Sequence, residues 1–193
     1  MTTRVRFSRS ADVFEAFPML ARFAAPPPDD IDPLGDVRRR LATRRPLEAI
    51  ALLAHTLPRR EAVWWASRAV AALQGAAGQD ECARAAEAWV RAPDEPNRLQ
   101  ALALGLAAAQ ERPTTWLALA AGRSGGNVAP PDHPPAPAAP EACAQAVSAA
   151  VTLALVAREP REMLPWIAAC VGGGIAFAEG GEAKILPPAA GRS

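Results

Sequence analysis

Proline placement constrains this chain more than any other feature. Pro46, Pro58 and Pro113 each stand at the head of an apolar, alanine-rich stretch. A first helical turn makes no use of the N–H that proline lacks, so these positions read as helix starts. Alanine fills about a quarter of the positions and is the best helix former and a poor strand former. Aromatic residues make up 5% and tyrosine is absent, so the residue types that sheets favour are scarce. The reading is an all-α chain.

The segments follow from starts and stops. Ser10 reads as the N-cap of a helix that carries Val13, Phe14 and Phe17 on one face, and Pro18 ends it. A short helix is predicted from Pro33 to Ala42, then others from Pro46 to Thr56 and from Pro58 to Leu73. Gln79 or Asp80 caps one through Arg91, Asp94 caps one through Gln110, and Pro113 opens one to Ala121. Residues 122–140 are rich in glycine and proline and read as a long irregular loop. Two more helices, Pro140 to Arg158 and Arg161 to Phe177, complete a single domain over residues 1–180. Residues 181–193 read as a flexible tail. Short connections favour antiparallel neighbours. The expected architecture is an irregular bundle of antiparallel helical hairpins with about eight helices.

Charge excludes several classes. Lysine plus arginine number 21 and aspartate plus glutamate 20, with no basic stripe of the kind a nucleic-acid partner requires. Lys184 is the only lysine. The apolar runs 142–157 and 163–178 fall short of the roughly 20 residues of a membrane span, so no membrane insertion is expected. The N-terminus carries no signal-peptide pattern, and a cytoplasmic location is expected. Cys82, Cys143 and Cys170 lack metal-type spacing and read as small buried hydrophobes. No catalytic, cofactor-binding or metal-ligating constellation stands out.

Chemistry concentrates in Leu57-Pro58-Arg59-Arg60-Glu61-Ala62-Val63-Trp64-Trp65-Ala66. Adjacent helical residues point about 100° apart, which gives Trp64 and Trp65 different surroundings, one in the core and one at a groove or surface. Arg60 is four residues from Trp64 and can lie over its indole. Arg59 and Arg60 stand in a first helical turn, where the helix dipole disfavours cations. A carboxylate partner is therefore expected, with Glu48 and Asp94 as candidates. A protein-binding surface would include Arg59, Arg60, Glu61, Trp64 and Trp65, since tryptophan and arginine dominate binding hot spots. Trp116 and the loop at Gly125 and Gly126 would extend it. His55 reads as a group at a helix C-terminus. An enzymatic or ligand-binding alternative would need a pocket near the Trp64/Trp65 helix where Arg59, Glu61 and His55 converge.

The stretch Leu57 to Ala66 resembles the hallmark of a bacterial family of unknown function. Val13-Phe14-Glu15-Ala16-Phe17-Pro18, Ala86-Glu87-Ala88-Trp89-Val90 and the run from Trp116 into Ser124-Gly125-Gly126 fit the same pattern in the same order. Together they span about residues 5 to 157. The resemblance implies a helical intracellular protein, with some members associated with type VI secretion gene clusters, and it carries over no catalytic residue. The expected function is a non-enzymatic binding or adaptor protein, an accessory of such a secretion system, whose partner is another protein.

Overall fold

The computed structural model describes residues 3–75, 79–129 and 132–186. Among the described residues it is an all-α domain of nine helices: α1 Ser10–Ala16, α2 Pro33–Ala42, α3 Pro46–Thr56, α4 Arg59–Gln74, α5 Glu81–Arg91, α6 Glu95–Ala107, α7 Pro113–Gly122, α8 Ala142–Val156 and α9 Pro160–Ala178. A 3-10 turn, Pro18–Arg22, follows α1. Pro33, Pro46, Pro113 and Pro160 open their helices, and Pro58 occupies the cap position of α4. Asp80 and Asp94 accept from the backbone N–H of Ala83 and Asn97 and so close the N-termini of α5 and α6.

Two local readings are corrected. Helix α6 stops at Ala107 rather than Gln110. Beyond it the Ala109 carbonyl accepts from the Thr115 hydroxyl at 2.7 Å and the Gln110 carbonyl from the Trp116 indole at 2.8 Å, so the connection to α7 satisfies them. Ser10 is not a cap: Arg9 holds that position, and its backbone N–H donates to Asp12. The Ser10 hydroxyl turns inward to the Asp36 carboxylate at 2.6 Å. Ala183 and Ile185 are buried against the C-terminal part of α9, with Ile185 lying over Gly173. Residues 187–193 lie outside the described residues.

Helix α7 is the hub. It packs on α6 and α8 and also meets α4 and α5. Every one of its residues except Trp116 is buried, as an apolar helix with no polar face must be. Its exit is tight. A Cβ on Gly122 would lie 2.5 Å from the Leu102 Cα, which is backbone of α6 and has no rotamer to yield. Gly122→Ala should therefore cost about 2 kcal/mol by overpacking, read as a fall in chemical-denaturation midpoint with unchanged slope.

Arginines from distant parts of the chain close the C-terminal ends of five helices. Arg6 donates to His55 O on α3 at 3.2 Å, Arg158 to Leu73 O on α4 at 3.5 Å, and Arg60 to Val90 O on α5 at 2.6 Å. Arg98 donates to Gly122 O on α7 at 2.7 Å, and Arg4 to Phe177 O on α9. The last carbonyls of a helix lack intrahelical partners and carry the negative end of its dipole. A guanidinium suits this task, since it is always charged and has five donors to share among acceptors. The near-absence of lysine thus has a structural consequence: the cations act as ties between helices.

The loop at 122–140 is organised at its base. Val128 N–H donates to Ala136 O and Ala138 N–H to Gly126 O, and the Asn127 side chain accepts from Ala129 and Ala136 N–H. One isolated antiparallel bridge, Asn127 to Pro137, results. Residues 130–131 lie outside the described residues.

Candidate functional site

The signature helix α4 separates its two indoles. Trp65 is 0% exposed and its Nε1–H donates to the Cys170 carbonyl of α9 at 2.9 Å. It ties α4 to α9 from inside and is out of a partner's reach. Trp64 is half-buried and lines a groove of about 300 Å³ with Arg4, Arg60, Glu61, Val90 and Phe177. A second cavity of about 510 Å³ continues from it, sharing Arg4, Trp64 and Phe177 and adding Arg68, Glu182 and Lys184.

The charges around Trp64 differ from expectation. The cation over its ring is Arg68, at 5.6 Å, one turn after the indole rather than one turn before. Arg60 instead reaches the end of α5. Arg59 donates to Ser124 O at 2.8 Å and lies 3.9 Å from where a Gly125 Cβ would be. Neither arginine pairs with the carboxylates proposed for it. Glu48 is taken by Arg40 and Arg45, and Asp94 caps α6. The first-turn cations are compensated by carbonyls at the ends of other helices. Those carbonyls carry partial negative charge but leave no trace in composition.

The structure brings some predicted site residues together and separates others. Arg60, Glu61 and Trp64 share the groove. Arg59 and Gly125 form a second contact, at the base of the 122–140 loop. Gly126 lies under the Arg98 guanidinium, 2.8 Å from its Nη2 at the Cβ position, so its backbone is held rather than presented. Trp116 is partly buried, with its indole N–H satisfied by Gln110. Glu61 lines the Trp64 groove and His55 lines a separate cleft, so these two residues of the expected triad open on different cavities.

Sequence reasoning missed Arg4, Arg68, Phe177 and Lys184. Arg68 sits four residues after Trp64, and that spacing could have found it. Arg4 and Phe177 stand 173 residues apart, and only the fold joins them. The guanidinium of Arg4 lies 4.3 Å above the Phe177 ring while it bonds to Phe177 O and Gly181 O.

The groove is cationic. Arg4, Arg60, Arg68 and Lys184 have no carboxylate within ion-pair distance among the described residues, whereas Arg91 at its edge pairs with Glu87 at 2.9 Å. Glu61 and Glu182 are the acidic residues on its walls. The thiols offer no reactive alternative. All three cysteines are free and buried, and burial pushes Cys143 and Cys170 up to about 12. No group of three metal-ligating side chains occurs among the described residues, and no helix among them is long and apolar enough to cross a membrane.

A family model described as a family of unknown function, DUF6931, matches residues 37–178. The matched region runs from within α2 to the last residue of α9, and so includes α4 and most of the groove. No curated protein and no solved structure matches the chain.

Proposed function

The chain belongs to the family of unknown function DUF6931, which supplies no activity, and from the chain's own geometry we propose that it is a non-enzymatic binding protein. In this reading it is an adaptor that takes an acidic, apolar-anchored segment of a protein partner into the groove over Trp64. The observation that carries it is the half-buried indole flanked by Arg4, Arg60, Arg68 and Lys184, none of which is neutralised by a carboxylate among the described residues. Tryptophan and arginine are enriched among the residues that carry most binding energy at protein interfaces. Unneutralised cations steer acidic partners to them. The type VI secretion context and a cytoplasmic location belong to the same proposal and rest on the resemblance carried by the Pro58 to Trp65 signature.

Arg68 and Lys184 are both exposed, so Arg68→Glu with Lys184→Glu should change stability little while reversing the charge a partner meets. Affinity purification from the native bacterium with the wild-type chain should recover a partner at low salt and lose it progressively as salt rises. The double variant should recover at least tenfold less, with unchanged circular dichroism and Tm. Equal recovery by both proteins would dismiss the groove as the docking site.

A further inference from the structure

A third cavity, away from the groove, has the construction of a small-molecule site. It encloses about 470 Å³ between α3 and α8, within the range of drug-sized ligand pockets. Leu47, Ala51 and His55 recur every four residues along α3 and make one wall. Ala149 and Thr152 belong to the α8 wall, and Arg22, the last residue of the 3-10 turn, and Phe23 after it complete the lining. Phe23 and Leu47 are 56% and 57% exposed, large apolar side chains left in water at the edge of an apolar cleft.

One fully buried polar atom in this wall has no partner. His55 is 1% exposed. Its Nδ1 lies 2.7 Å from the Ala51 carbonyl, which can only accept, so Nδ1 carries the proton. Nε2 is then a bare acceptor, and it is buried with no hydrogen-bond partner. An orphaned buried acceptor is costly and uncommon in folded proteins. Burial pushes the imidazole below its ordinary value, against the Ala51 hydrogen bond and the charge of Glu141, so the ring is neutral at pH 7. Ser148, also on the α8 wall, is satisfied within its own helix by Ala144 O. Among the fully buried side-chain atoms of this wall the unmet demand is therefore for a donor, and it falls on His55 Nε2.

We infer that the α3/α8 cleft binds a small uncharged molecule with an apolar body and one hydroxyl or N–H donor, the donor seated on His55 Nε2. Nε2 is out of solvent contact. Seating a donor on it requires a side-chain rotation at the cleft floor, of the kind common on binding. This site is independent of the Trp64 groove, and either can fail without the other.

The test uses the full chain and a matched pair of probes, 2-naphthol and 2-methoxynaphthalene, which share a body and differ in the donor. Calorimetric titration at pH 7.5 should give one saturable site that prefers 2-naphthol by about tenfold. His55→Phe preserves an aromatic ring against Phe17, whose ring meets His55 edge-on at 5.2 Å, and should level the two affinities. Ala149→Trp fills the cleft and should abolish binding of both, while Arg68→Glu should leave both unchanged. Equal affinity of the two probes for the wild-type chain would overturn the inference without any variant. So would absence of saturable binding, or binding that survives Ala149→Trp in the folded protein.

Discussion

Trp65→Ala should lower the stability of the fold by about 4 kcal/mol and Tm by roughly 10 °C, the largest loss expected from any single truncation in the signature helix. Three features add up at this residue. Its side chain is entirely buried. Its indole N–H holds the Cys170 carbonyl at 2.9 Å. The indole also lies on the backbone of α9, where a Cβ at Gly174 would come within 2.6 Å of Trp65 Nε1. A neighbour that close cannot collapse into the space, because it is helix backbone held by its own ladder, so the cavity term is retained. Trp64→Ala, one residue away, should cost much less, since that ring is only half-buried. Denaturant unfolding of the two variants measures the difference directly. Equal losses would mean that the indoles do not have separate roles.

The second large effect is expected at Asp36. Its side chain is 0% exposed and receives Ser10 at 2.6 Å, Arg39 at 2.7 Å and Arg40 at 2.9 Å. Arg40 itself is 4% exposed and is held on its other side by Glu48 and by Ala25 O. This cluster joins α1, α2, α3 and the segment after the 3-10 turn around a buried ion pair. Asp36→Asn removes the charge and strands a buried guanidinium edge, which should cost about 3 kcal/mol. Replacing the whole set with well-packed apolar residues should cost far less, because the desolvation of the charges is then no longer paid.

Asp36 also makes the fold acid-sensitive. Burial pushes its carboxyl up, but hydrogen bonds from Arg40, Ser10 and Arg39 outweigh that and hold it below the usual range. A carboxyl depressed in the folded state contributes its full stabilisation above the unfolded value, about 3.9. That contribution is lost as pH falls from there through the folded value. The wild-type chain should thus lose stability below about pH 4, and the Asp36→Asn variant should lose less over the same interval. Urea midpoints measured from pH 6 to pH 2.5 decide this. Parallel curves for the two proteins would place the acid sensitivity elsewhere, Asp12 being another carboxyl held low, by Arg9.

What was legible in this sequence was local. Proline at a first turn and aspartate at a cap act within one helical turn, so Pro46, Asp80 and Asp94 marked helix boundaries before any packing was known. The angle between Trp64 and Trp65 is likewise set by helix geometry alone. That they differ could be read, but which one is buried could not, because burial depends on where α9 lies. Ser10 shows the limit even of local rules. A serine before an apolar run has the chemistry of a cap, yet a carboxylate 26 residues away competes for the same hydroxyl and wins.

The sequence by itself determined an all-α fold, most of its helix boundaries and the distinctiveness of the Pro58 to Trp65 stretch, because helix propensity, capping and face geometry are short-range. Only the tertiary structure decided what the arginines do. Carboxylates were the natural partners to seek for Arg59 and Arg60, but every residue has a carbonyl, and only folding shows which carbonyls are left at a helix end. The same holds for the groove and the cleft. Arg4 comes to line one groove with Trp64 and Phe177, and His55 one cleft with α8, through contacts between segments far apart in the chain.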